Sequence, residues 1–137
     1  MDLRIAIQGV AGCFHDEAAH EYFAGREITT VPCETFPAMM DVLRGDASML
    51  GIMAIENTIA GSLLQNHELL RQSNLKVIGE FRKYISHSLV ALPGQSIDDI
   101  VEVNSHPMAL LQCEQFLMKH PRMKIVETND TAGSAQM

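Results

Sequence analysis

The sequence predicts an α/β fold with a mostly parallel sheet. Short β-branched or apolar runs alternate with amphipathic helical stretches from one end of the chain to the other. One of the runs, Leu50 to Ile55, is apolar throughout, as a strand covered on both faces must be. Polar and glycine-rich residues gather where a strand hands over to a helix, which is where sheets of this type place their ligand-binding loops.

Taken in order, Leu3 to Gln8 reads as a strand that ends at Gly9. After the turn Gly9-Val10-Ala11-Gly12, Asp16 to Ala24 places Ala19, Tyr22 and Phe23 on one helical face. Ile28 to Cys33 is a short strand that Pro32 confines to an edge or a strand end, because proline cannot donate to a ladder. Phe36, Met39, Met40 and Leu43 stand at helical spacing behind Thr35, an expected N-cap, and Gly45-Asp46 stops that helix. Leu50 to Ile55 is the next strand, Glu56 to Gly61 a polar loop, and Ser62 the expected cap of a helix reaching about Gln72. Leu75 to Leu92 reads as a long strand-rich stretch, one bent strand in the simplest version, closed by the turn Pro93-Gly94. Ile100 to Val103 is a brief strand. Pro107 suits the first turn of a helix that follows Ser105, with Ala109, Leu110, Cys113, Phe116 and Leu117 on its buried face. Met123 to Val126 is a strand, and Thr131 opens a further helix.

Composition narrows the function. With 137 residues, 47% hydrophobic and 20% charged, the chain has the size of one ordinary domain or two small lobes, and enough apolar material for a core. No apolar run approaches the roughly 18–20 residues that cross a bilayer. The start, Met1-Asp2-Leu3-Arg4, goes straight into a strand without the basic and apolar regions of a signal peptide, so the cytoplasm is the expected compartment. Cys13, Cys33 and Cys113 are widely spaced and odd in number, which points neither to a disulfide framework nor to a zinc site. A net charge of −7 with ten scattered Lys and Arg argues against nucleic acid. An anionic small molecule stays compatible, because backbone N–H groups at a helix N-terminus bind carboxylates without net positive charge.

Three segments are candidates for chemistry. Gly9 to Phe14 has glycines for a tight turn and close backbone approach, but it lacks the length and the Lys of a phosphate loop, so a purely geometric role is the stronger reading. Glu56-Asn57-Thr58-Ile59-Ala60-Gly61-Ser62 offers neutral donors next to a helix start; it can hold a carboxylate or hydroxyl, or be a solvated loop with a serine cap. Asn104-Ser105-His106-Pro107 continues to Gln112, about two helical turns beyond Ser105 and on the same side. His106 suits capping or packing better than catalysis, since adjacency to Ser105 does not make a nucleophile–base pair.

These segments resemble the catalytic domain of prephenate dehydratases. The family has a strand, a glycine loop with Phe and an Ala-Ala helix, here Gly9 to Ala19; an Ile-Glu-Asn-Ser/Thr loop with Gly-Ser, here Ile55 to Ser62; a Ser-His-Pro-x-Ala-Leu-x-Gln-Cys helix start, here Ser105 to Cys113; and an acidic Thr-Ala-x-x-Ala segment, here Asp130 to Ala135. All four occur in order and cover essentially the whole chain. The sequence departs from the family where Val10, Cys13 and His15 stand in place of Pro, Thr and Ser, so what the resemblance implies for that loop is backbone contact. The family's Thr-Arg-Phe motif and its ACT domain have no counterpart before Met137.

The resemblance implies a two-lobed fold like that of type II periplasmic binding proteins, with the first lobe at 1–78, the second at 79–137, and the second lobe and return segment incomplete. It implies decarboxylating dehydration of prephenate to phenylpyruvate in phenylalanine biosynthesis, without cofactor or metal. Carried over residue by residue, Glu56, Asn57, Ser105 and Gln112 are the catalytic positions; Asn57, Ser105 and Gln112 bind and orient the substrate, while Glu56 tunes the site, anchors the loop or donates a proton. Gly12, Thr58, Gly61, Ser62 and His106 are further substrate-binding positions. Prephenate is the expected small-molecule partner, with no nucleic acid, no membrane and a homodimeric assembly. Without the Thr-Arg-Phe motif, little or no turnover is expected of these residues alone. Arogenate dehydratase, a non-catalytic binding module of the same fold and a merely dimerising fragment are the alternatives.

Overall fold

The computed structural model describes residues 2–59 and 61–137. The chain divides into two compact units, one ending at Tyr84 and one beginning at Ile85.

The first unit is built on a parallel sheet. Strand β1 (Leu3–Gln8) lies between β2 (Ile28–Cys33) and β3 (Leu50–Gly51), pairing Leu3 with Ile28 through Gln8 with Cys33 on one side and Ile5 with Leu50 on the other. A central strand is covered on both faces, and Ile5, Ala6 and Ile7 are accordingly fully buried. Their side chains alternate, as the pleat requires. Ile5 and Ile7 join Ala19 of α1 (Phe14–Tyr22), whereas Ala6 joins Met39, Met40 and Leu43 of α2 (Phe36–Gly45). Pro32 lies on the edge strand, where its missing N–H leaves no gap in an inner ladder. Thr35 caps α2 by accepting the Ala38 N–H at 3.2 Å, and Asp46 ends it.

Four expectations are corrected, the last for a stretch that runs past Tyr84. The strand expected over 50–55 keeps ladder geometry only for Leu50–Gly51; Ile52 N–H still donates to Ala6 O at 3.1 Å, and side chains take over beyond it. The segment 56–62 is an antiparallel ribbon of β4 (Glu56–Asn57) and β5 (Gly61–Ser62), with Glu56 opposite Ser62. Gly61, at φ +81°, provides the left-handed conformation the return needs. Ser62 is thereby held in the ribbon and does not cap α3 (Leu64–Gln72), whose N-cap is Leu63 with no side-chain bond. Residues 74–92 form neither strand nor helix. Their β-branched composition has no ladder partner among the described residues, and Val77, Ile78, Val90 and Leu92 stay largely exposed. Within the first unit this stretch is tied to α1 by Lys83, which pairs with Glu17 and Glu21, and by an edge contact of Phe81 with Tyr22.

The second unit has one parallel pair, β6 (Glu102–Ser105) and β7 (Lys124–Glu127), in register from Glu102–Lys124 to Ser105–Glu127. A 3₁₀ turn at Ile97–Asp99, closed by a Ser96–Asp99 capping box, displaces the start of β6 to Glu102. The helix expected after Ser105 is divided at Cys113 into α4 (Pro107–Gln112) and α5 (Glu114–Met118), so Phe116 is exposed instead of sharing one buried face. Helix α6 (Thr131–Gln136) closes the unit. Ala109, Leu110, Leu117 and Met123 are its most buried apolar residues.

Candidate functional site

The candidate residues fall into two groups, one in each unit. In the first unit Glu56, Asn57, Thr58, Gly61 and Ser62 share the β4–β5 ribbon. Asn57 Oδ1 accepts the Ile59 N–H at 2.9 Å, an Asx turn that fixes the ribbon's tip. Asn57 is half-buried, whereas Glu56, Thr58, Gly61 and Ser62 are exposed. Glu56 is therefore a carboxylate at the surface of its unit.

The ribbon hangs from a short, heavily bonded segment. Ala54 N–H donates to His15 Nε2 at 3.1 Å, and Asn66 Nδ2 donates to Ala54 O at 2.8 Å. Leu63 N–H donates to Ile55 O at 2.8 Å. Asn66 is buried on α3, and the His15 ring meets Phe36 edge-on at 5.4 Å. Burial pushes the His15 pKa below its usual value against the opposing pull of a backbone hydrogen bond with Gln8.

The glycine loop precedes α1. Gly9 and Gly12 have φ +111° and +84°, so both glycines answer a conformational demand. The Gly12 N–H donates to Asp16 Oδ2 at 2.8 Å, while Asp16 Oδ1 accepts from Thr30 Oγ1 at 2.6 Å. Burial alone would raise the Asp16 pKa; the hydrogen bonds from Thr30 and Gly12, with the His20 charge, bring it below the usual carboxylate value. The Gly12 amide is thus engaged by the loop's own carboxylate.

In the second unit Ser105 is buried at the C-terminal end of β6, and its carbonyl accepts the Thr128 N–H at 2.8 Å. The cap of α4 is His106, one residue later than Ser105: His106 Nδ1 accepts the Met108 N–H at 3.1 Å, with Pro107 at the first helical position. The capping role weighed for this histidine is the one the structure assigns. Gln112, at the other end of α4, bonds through Oε1 to His87 Nε2 at 2.8 Å. The Thr-Ala segment stands at the same sheet end: Asp130 caps α6 through the Gly133 N–H, and Ser134 Oγ donates to Asp130 O at 2.8 Å. An apolar hollow of about 380 Å³ on this unit, lined by Leu110, Leu117, Met118 and Met123 among others, touches none of these polar residues.

Sequence reasoning missed His15, Asn66 and His87, whose partners lie 39, 12 and 25 residues away. The one local signal was His15 itself, a departure from the family's serine. Among the described residues no group of His, Cys, Asp and Glu could hold a metal ion, and no helix is long and apolar enough to cross a membrane.

Chemically, the two groups supply neutral amides and hydroxyls at strand ends, suited to holding carboxylate and hydroxyl oxygens. A family model described as prephenate dehydratase matches residues 5–137. Arogenate dehydratase/prephenate dehydratase 2, chloroplastic, of Arabidopsis thaliana is 36% identical over 134 residues, which are 98% of this chain and 34% of that protein. The chain thus spans about a third of the length of the curated relatives it matches. Among solved structures, a quorum-quenching acylase, GqqA, is 31% identical with a TM-score of 0.78, over 96% of this chain and 47% of the other. Prephenate dehydratase of Arthrobacter aurescens in complex with L-Phe has a TM-score of 0.74 at 22% identity, over 98% of this chain and 45% of the other, which shows the periplasmic-binding-protein-like α/β fold. The chain belongs to the prephenate dehydratase family.

Proposed function

We propose that the chain binds prephenate and supplies binding residues for its conversion to phenylpyruvate, carbon dioxide and water. The family match across residues 5–137 carries this reading. The chemistry supports it. The bond from the ring to its carboxylate breaks, its electron pair enters the ring, and the hydroxyl on the opposite ring carbon leaves with a proton as water. Aromatisation drives the step, so the protein has to hold the ring carboxylate out of the ring plane and place a donor at the leaving oxygen.

In this reading Asn57, Ser105 and Gln112 bind and orient the dianion through neutral hydrogen bonds. Ser105 is well suited, because a hydroxyl shielded from water makes a stronger bond than an exposed one. Gln112 presents its amide nitrogen to substrate while its Oε1 is held by His87. Exposed Glu56 anchors or tunes the ribbon, with proton donation as its alternative role. Thr58, Gly61, Ser62 and His106 contribute further contacts, chiefly from the backbone, whereas Gly12, whose amide is held by Asp16, contributes by shaping its loop.

For these 137 residues alone, binding with little or no turnover is expected, because the Thr-Arg-Phe motif tied to dehydration has no counterpart in them. Calorimetric titration with prephenate should show saturable binding, weakened about tenfold in Gln112→Ala. Unchanged binding removes Gln112 from the site, and phenylpyruvate formed at an enzyme's usual rate overturns the expectation of low turnover. Arogenate is the second substrate reading, favoured by the names of the plant relatives. It differs from prephenate in carrying an amino group where prephenate has a keto oxygen, so titration with both ligands decides between them. A homodimer is part of the same reading and is tested by light scattering.

A further inference from the structure

Strand β3 leaves the ladder early, yet the backbone after it does not emerge into water. Met53, Ala54 and Ile55 are half-buried. Backbone groups in such a place need partners, because a buried unpaired donor or acceptor costs most of its desolvation. The last ladder bond on this side is Ile52 N–H to Ala6 O. Two residues on, side chains from two helices replace the missing strand: His15 of α1 takes the Ala54 N–H, and Asn66 of α3 gives to the Ala54 carbonyl. Ile55 O is then held by Leu63 N–H, immediately before Glu56 and Asn57.

We propose that His15 and Asn66 are positioning residues that set the β4–β5 ribbon, and with it Glu56 and Asn57, by clamping Ala54 on its N–H and its C=O. The proposal rests on the reading of that ribbon as substrate-binding. The direction of the bond fixes the state of the ring. A backbone N–H pointing at Nε2 needs a lone pair there, so the working form is the neutral imidazole with its proton on Nδ1; a protonated Nε2 would set donor against donor. What faces the ring agrees. From β1 comes the Gln8 backbone, from α2 the Phe36 ring, and from the segment after β3 the Ala54 N–H. The adjacent Asp16 is committed to Gly12 and Thr30, and burial keeps the ring's pKa low with no ionised side chain among the causes.

The test uses the 137-residue chain with His15→Leu, His15→Gln and Asn66→Asp. His15→Leu removes the acceptor, His15→Gln restores one, and Asn66→Asp removes the donor independently of the ring. Hydrogen exchange read by NMR should show Ala54 and Leu63 losing protection about tenfold or more in His15→Leu and Asn66→Asp, with the β1–β2 amides unchanged and His15→Gln near the parent. Ring nitrogen shifts should report an unprotonated Nε2 at neutral pH. Protection at Ala54 should fall in the parent as pH drops below about 6.5, and not in His15→Gln. Prephenate affinity should follow the same order of variants. Unchanged Ala54 protection in both disruptive variants, an equal loss throughout the β1–β2 ladder, or a protonated Nε2 at neutral pH each overturns the clamp. The exchange arm needs no ligand: a clamp signature in a parent chain that binds no prephenate overturns the substrate reading of the ribbon instead.

Discussion

In the unit ending at Tyr84, β1 runs between two partners and its residues Ile5 to Ile7 reach complete burial. In the unit beginning at Ile85, β6 has a single partner among the described residues, and Ala109, Leu110, Leu117 and Met123 keep 7–9% of their surface. The first unit can spend core packing on rigidity, and its ribbon is anchored to helices that pack on a filled sheet. The second relies more on local polar devices: the Ser96–Asp99 box, the His106 cap, the Asp130 cap and the bond between His87 and Gln112. Candidate site residues of similar chemistry therefore rest on supports of different kinds.

The largest expected effect tests the core half of that contrast. Ile7→Ala removes a fully buried side chain between packed neighbours and should cost about 2–5 kcal/mol in urea unfolding. Leu117→Ala should fall at or below the lower end of that range, about 2 kcal/mol, because its surroundings are less closed and can relax. Equal losses would break the comparison.

Next in size are the charged supports of the first unit. Asp16→Asn weakens the bonds to Gly12 N–H and Thr30 Oγ1 and should cost about 1–3 kcal/mol. The pH dependence has a definite sign. Asp16 has a folded pKa below its unfolded one, so its contribution is complete above about pH 4 and is lost as pH falls through the lowered folded value. His15 also has a folded pKa below its unfolded one. Folding therefore opposes its protonation, and stability declines as pH falls from about 6.5 toward the folded value. Acid unfolding followed by NMR should show the first decline in the first unit, starting near pH 6.5 and absent from His15→Gln.

What could be read beforehand was local. The pleat alternation of Leu3 to Gln8, the edge position of Pro32 and the Thr35 cap follow from spacings of a few residues, and the structure keeps them. The stretch from 75 to 92 has strand composition but no pairing, since a ladder needs a partner that local composition cannot supply. Ser62 looked like a cap because a helix follows it, yet the turn at Gly61 folds it back against Glu56. Around Ser105 the local reading also held: the serine closes β6 at a buried strand end, and His106 takes the capping role weighed for it. The ribbon's anchoring bonds were not legible from local spacing, because His15 and Ala54 meet only after α1 and β3 have docked on β1.

The smallest effect probes the local half of the contrast. Thr35→Ala and Asp130→Ala each remove one N-cap, and each should cost about 1 kcal/mol. The consequences should nevertheless differ. Helix α2 has ten residues, three of them buried, so losing its cap frays the first turn and leaves the rest packed. Helix α6 has six residues and none buried, a length that does not persist without its cap and tertiary contacts. Asp130→Ala removes the carboxylate and leaves the Asp130 carbonyl that accepts the Ser134 hydroxyl, so the variant isolates the cap's share in holding this short helix. Asp130→Ala should therefore abolish amide protection across 131–136, and Asp130→Asn, which keeps an acceptor, should restore most of it. Protection surviving in Asp130→Ala would mean that packing on β6 alone holds α6, and that the second unit is better supported by its core than its exposed residues indicate.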